Sequence, residues 1–172
     1  MDGADPAIAG DVTPRLLPGH AAACFGCGHE NASGFQLEVW RRGDEIYTDA
    51  AFDDRHIGGP GLAHGGAIAA VCDELLGFTV WLIGAPAVTR ALTIDYLAPV
   101  RLHEKYRITA KVDQEKGRAI LVSARGIGSS EQVSFTANGV YVRVPFEHFD
   151  GFGTMVTPVD ELQAKLRSES GR

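Results

Sequence analysis

The chain has 172 residues, 45% of them hydrophobic and 22% charged, with a formal net charge of -6. That is enough apolar material for one globular domain with a real core, and an acidic balance without a basic run argues against a nucleic-acid partner. The three cysteines are Cys24, Cys27 and Cys72, and the acidic start MDGADPAIAGD lacks the layout of an export signal, so reduced thiols and a cytoplasmic location are expected.

Residues 1–19 carry scattered Pro and Gly and read as an arm. Cys24 to Asn31, CFGCGHEN, is a glycine-punctuated loop. Phe35 to Trp40 alternates apolar and polar residues, as a half-buried strand should. Arg42-Gly43-Asp44 then turns the chain into a second strand over Glu45 to Phe52, giving a hairpin. Asp53 to Ala63 reads as a loop leading to the central segment. After that segment come strands over Ala87 to Val100, Glu104 to Glu115, Arg118 to Gly128 and Gln132 to Val144. In the second of these Tyr106, Ile108, Ala110 and Val112 share one face. Pro145 to Thr157 is irregular and aromatic (Phe146, Phe149, Phe152); covering the sheet edge is the expectation, lining an acyl pocket the alternative. Pro158 to Glu169 is expected to be a short helix, with Pro158 near its first turn. The order is β-β-α-β-β-β-β. It predicts an α+β domain over residues 20–157, one long antiparallel sheet wrapped around one helix, with a helical tail over 158–172. Its edge strands need covering, and a second copy of the chain is a common solution.

The central segment, Pro60 to Gly84, reads PGLAHGGAIAAVCDELLGFTVWLIG. Ala67, Ala70, Val71, Leu75, Phe78 and Leu82 recur at helical steps, and Gly84 with Pro86 supplies the stop. Its apolar length approaches that of a membrane span, but Asp73 and Glu74 near its middle would each cost about 3 kcal/mol in lipid. A helix buried in its own protein is the expectation. Gly65 and Gly66 stand where the helix begins, where backbone N–H groups lack internal partners and the dipole is positive. That arrangement suits an oxyanion hole, or merely lets the loop pass close to the sheet. Asp73 is a carboxylate in apolar surroundings and therefore a candidate catalytic group. It lies about 12 Å from Gly65 along the axis, too far for both to act on one carbonyl within one subunit. If both act, they meet across a two-fold axis. Glu74 points about 100° away on the helix and faces solvent or a pocket edge. His64 and His56 contact substrate or fix the loop through backbone hydrogen bonds. Cys24 and Cys27 supply only half of a tetrahedral zinc site; His20 and His29 could complete it only if folding brought them there, so no metal is expected. Cys72 reads as a small core residue.

The string HGGAIAAVCDELLG, preceded by HIGGPGLA and followed by LTIDYLAPV, resembles the hot-dog-fold acyl-CoA thioesterases, in particular their phenylacetate-pathway-like branch. The upstream CFGCGHENASGFQLEV resembles the head found in many members of that branch. The resemblance spans about Cys24 to Val144 and implies hydrolysis of an acyl-CoA thioester at a site shared by two subunits, in a homodimer or a dimer of dimers. It implies that Asp73 activates water or attacks the carbonyl, and that the Gly65 N–H of the other subunit polarises that carbonyl. It further implies a water-placing hydroxyl early in the next strand, for which Thr89 matches best and Thr93 second. Many relatives carry an Asn in the loop before HGG; here Gly58 and His56 stand there, which leaves the second oxyanion donor open. Coenzyme A, as part of the substrate, needs cations for its phosphates; Arg90, Arg101, Lys105, Lys116 and Arg118 are available. No separate cofactor and no membrane partner are expected. A non-catalytic hot-dog binder of acyl thioesters or hydrophobic ligands, and a hot-dog dehydratase using His64 with Asp73, are the alternatives.

Overall fold

The computed structural model describes residues 13–84 and 86–149. In chain order these form β1 (Arg15–Leu16), β2 (Trp40–Arg42), β3 (Glu45–Ala51), β4 (Ile57–Gly59), β5 (Leu62–Ala63), the helix α1 (Gly65–Leu82), β6 (Ala87–Tyr96), β7 (Lys105–Lys116), β8 (Ala119–Ile127) and β9 (Val133–Arg143). Seven of the strands make one sheet in the order β1-β2-β3-β7-β8-β9-β6, and β4 pairs with β5 apart from it. Every pairing is antiparallel.

Alternation along the strands decides which sheet face is inside. Tyr106, Ile108 and Ala110 on β7, Ile120, Val122 and Ala124 on β8, and Phe135, Ala137 and Tyr141 on β9 are all buried. That face curls over α1, whose Ile68, Val71, Cys72, Leu75, Leu76, Phe78 and Val80 complete the core. By length and hydropathy (1.4 on average) α1 could cross a membrane, but here β3, β6, β7, β8 and β9 pack against it. The helix and the inner sheet face each bury the apolar surface that the other needs covered. The expected α+β architecture of one long sheet around one helix is the one found.

Four local expectations change. The run from Phe35 is not a full strand, and only Trp40–Arg42 joins the ladder. Before Trp40 the backbone is spent elsewhere: the Phe35 and Leu37 N–H groups donate to the Phe25 and Gly26 carbonyls at 2.9 Å each, and Gln36 sits at φ 50°. The loop Asp53 to Ala63 carries structure of its own. A turn of 3-10 helix over Asp54–His56 is capped by Asp53, and the small hairpin of β4 and β5 follows. The arm is anchored, because β1 pairs with β2 and Leu17 is buried beside it. Finally, β6 carries a bulge between Thr89 and Ala91 that its alternation did not announce. The expected helix after Pro158 and the aromatic residue Phe152 lie outside the described residues.

Candidate active site

Asp73 lies midway along α1, half-buried under the end of β6. Two hydroxyls converge on one of its oxygens: Thr89 Oγ1 donates to Oδ1 at 2.9 Å and Tyr141 Oη at 2.8 Å. The Tyr141 hydroxyl also lies 2.8 Å from the Asp73 main-chain carbonyl. Among the described residues Oδ2 receives no donor. One oxygen is held and the other presented, as required of a group that must take a proton or attack a carbon from a fixed position. Burial above all, with Asp73 nearby, pushes the Tyr141 phenol up, so it stays protonated and can donate.

Tyr141 did not emerge from the sequence. The available signal was a phenol in an inward-facing row of apolar residues, a position where a buried hydroxyl needs a partner. Thr89 and Tyr141 are cross-strand partners, so their side chains share a face and reach the same carboxylate. Thr93 lies on the other face, between the core-packed Leu92 and Ile94 and opposite Asn138. It does not join Asp73. Arg90 is the extra residue of the bulge; it is exposed and makes no ion pair among the described residues. Arg118, in contrast, spends its Nε on the Arg143 carbonyl at 3.1 Å.

At the start of α1 the roles divide. His64 is the N-cap, its Nδ1 accepting the Gly66 N–H at 2.9 Å. The Gly66 amide is therefore occupied, while the Gly65 N–H has no partner among the described residues. A side chain at Gly65 would meet the Tyr96 ring, with the hydroxyl oxygen 3.0 Å from its Cβ. Tyr96 Oη donates to the Gly65 carbonyl at 2.7 Å and fixes that peptide. His56 is locked as well: its ring stacks on Phe35 with centroids 4.7 Å apart, and its Nδ1 accepts the Asp53 N–H at 3.1 Å. Both histidines thus fix the loop, and both still border a surface groove with Gly66, Ala67 and Ala70.

Of the two expectations for Glu74, solvent or a pocket edge, the structure has the pocket. The Glu74 side chain is only 13% exposed, turned inward over Gly26, where a Cβ would lie 2.3 Å from its Cδ. Burial raises its pKa, offset by the Cys27 thiol and by His20. It forms one wall of a cavity of about 200 Å³ whose other walls are His20, Gly77, Phe78, Val80, Trp81, Pro86, Ala87, Tyr141 and Phe149. The cavity is mostly apolar and opens one helical turn beyond Asp73. Phe149 therefore lines a pocket rather than only covering an edge. Cys72 is fully buried, its thiol pushed up to about 12 by desolvation, and it is a core residue as expected.

Removing the hydroxyl of Tyr141 tests the clamp. Tyr141→Phe keeps the ring's packing but frees Oδ1, and is expected to lower turnover about tenfold, a loss of about 1.4 kcal/mol. The split between kcat and KM checks it, since a positioning loss falls on kcat.

A family model described as the thioesterase superfamily matches residues 60–133. The chain is 29% identical over 126 residues to the acyl-coenzyme A thioesterase THEM4 of Bos taurus, covering 72% of this chain and 52% of the bovine protein. It thus spans about half the length of that relative. A crystal structure of a thioesterase superfamily protein, RHA08564, superposes with a TM-score of 0.68 at 26% identity, covering 80% of this chain and 68% of that one. The Escherichia coli PaaI protein from the phenylacetic acid degradation operon superposes with a TM-score of 0.61 at 18% identity, covering 68% and 88% respectively.

Proposed function

We propose, from the premise that this hot-dog-fold chain belongs to the thioesterase superfamily, that it hydrolyses an acyl-CoA thioester. The observation that carries the reading is the Asp73 carboxylate with one oxygen held by Thr89 and Tyr141 and the other presented. In the proposed reaction a water oxygen adds to the thioester carbonyl carbon while its proton passes to Asp73 Oδ2. The carbonyl oxygen becomes an oxyanion, and the unspent Gly65 N–H at a helix start stabilises it. As the C–O double bond re-forms the C–S bond breaks, coenzyme A leaves as the thiolate and takes up a proton, and the free acid remains. The apolar cavity of about 200 Å³ beyond Asp73 takes the acyl group, and the exposed Arg90 on the strand edge is the best placed cation for a coenzyme A phosphate.

Because Asp73 and Gly65 stand about 12 Å apart on one helix, the reading requires two copies. β6 supports it: the strand ends the sheet, so among the described residues no strand pairs with its outer edge, which can take a second strand. Next to it lie exposed apolar side chains, Tyr96 at 53% and Leu97 at 60%, with Ile57 and Leu62 from β4 and β5. Tyr96 of this group touches Gly65.

Subunit mixing tests the shared site. Gly65→Val, which blocks the oxyanion position, and Asp73→Asn, which removes the base, are each expected to be inactive alone. Unfolded, refolded together and assayed for thiol release, they should recover about a quarter of parental activity, because half the dimers are mixed and each carries one intact site. No recovery despite dimerisation would sink the shared site, and activity in monomeric fractions would do the same.

A further inference from the structure

Two cysteines in a short loop made half of a metal site in the sequence, and folding supplies the other half. His20, Cys24, Cys27 and Glu74 converge so that one ligand atom from each lies within 4.8 Å of all the others. His20 Nδ1 is 3.2 Å from Cys27 Sγ and 3.4 Å from Glu74 Oε1, and Cys24 Sγ is 3.6 Å from the Glu74 carboxylate. A tetrahedral zinc ion with ligands at about 2.0–2.3 Å sets its donor atoms about 3.3–3.8 Å apart. The His20–Glu74 and Cys24–Glu74 separations match the edges of such a tetrahedron within about 0.1 Å, and the His20–Cys27 separation is about 0.3 Å shorter than a nitrogen–sulfur edge. His29, the other histidine considered, stands exposed beside Glu30 and takes no part.

The surroundings are built for the cluster. The Gly26 N–H donates to Cys24 Sγ at 3.3 Å, and the Gly28 N–H to the Cys24 carbonyl at 3.1 Å. Both glycines are required: a Cβ on Gly26 would strike Glu74, and one on Gly28 would lie 2.4 Å from the Cys24 nitrogen. The His20 ring is held edge-on by Phe78 and Trp81 at 6.1 and 6.0 Å. All three cysteines are free thiols. Two sulfurs, an imidazole nitrogen and a buried carboxylate are a soft-to-borderline donor set of the right number for zinc.

We propose that His20, Cys24, Cys27 and Glu74 bind one zinc ion in a closed structural site that fastens the 20–27 loop to α1 at the position next to Asp73. Binding displaces the thiol protons to solvent and involves no redox change. With four protein ligands there is no open coordination position, so the ion orders the helix and does not take substrate.

Metal analysis of the full chain, expressed with zinc and desalted, tests this. One zinc per chain is expected in the parent and less than about a tenth of that in Cys24→Ser/Cys27→Ser. Cobalt(II) added to the metal-free parent should give intense tetrahedral d–d bands with thiolate-to-cobalt charge transfer, absent from the double variant. Should that variant fail to fold, His20→Ala decides, because its side chain is 39% exposed and both thiols remain. It is expected to bind zinc at least about a hundredfold more weakly, with an altered cobalt spectrum. A parent without zinc and without a cobalt spectrum overturns the proposal, as does a Cys24–Cys27 disulfide in the isolated protein. Zinc affinity unchanged in both His20→Ala and Glu74→Gln overturns the ligand assignment. None of these readouts depends on turnover, so failure here leaves the hydrolytic reading standing, and the reverse.

Discussion

Asp73→Asn is expected to lower thioester hydrolysis at least about a hundredfold, corresponding to about 2.7 kcal/mol of lost transition-state stabilisation. The substitution is nearly isosteric. Its side-chain oxygen can still accept from Thr89 and Tyr141, so the clamp and the helix stay in place. What disappears is the free oxygen that would take the proton from water. Release of free thiol from a panel of short, medium, long and aryl acyl-CoAs, parent and variant side by side, measures the loss and identifies the acyl group. Equal turnover in the two proteins would remove Asp73 from the chemistry while leaving the hydrolase. Absence of turnover by a folded parent on every substrate would favour the binding protein.

The second large effect concerns the fold. Gly126 on β8 faces Phe135 on β9 directly across the ladder, and the Phe135 ring lies over the bare glycine. A Cβ at 126 would sit 2.1 Å from the ring's Cζ and 2.4 Å from its Cε1. Phe135 is fully buried and packs against Tyr106, centroids 6.4 Å apart, with Phe52 behind at 6.4 Å from Tyr106. The ring therefore has nowhere to move. Gly126→Ala is expected to cost about 3 kcal/mol by overpacking and to lower Tm by roughly 6–12 °C. Gly59→Ala, where nothing lies within 4 Å of the added carbon, should leave Tm within about 2 °C and serves as the control. Thermal unfolding followed by circular dichroism reads both; a Gly126→Ala as stable as the control would show that the aromatic cluster can rearrange.

Much of the architecture was legible because its elements are long and strongly patterned. β7, β8 and β9 alternate over most of their length, and α1 is bracketed by Gly65 and Gly84, so spacing alone places them. Phe35–Val39 alternates just as well but fails to pair, because its backbone groups go to the Phe25 and Gly26 carbonyls, and no periodicity reports such a long-range partner. The site shows the same division. Asp73 stood out as a carboxylate in an apolar helix. Tyr141 is far away in sequence, and only the β6–β9 register brings it to Asp73. For Glu74 solvent and pocket edge stayed open, because helical geometry gives its direction but not what fills the space there, and that is the Cys24–Cys27 loop. Thr89 came from the resemblance; counting outward from Leu92 and Ile94 puts it, like Thr93, on the wrong face.

The bulge that corrects that count behaves like a frameshift. Between Thr89 and Ala91 the edge strand carries one residue more than β9 opposite it, so side-chain parity changes at Arg90. Residues 92 and 94 point inward on even numbers, whereas Thr89 points inward on an odd one. The inserted letter is thus Arg90, which the ladder does not use, and removing it would leave both reading frames in phase with the helix. The strand can therefore vary the charge it offers at this edge, or drop it, without touching the hydroxyl that holds Asp73.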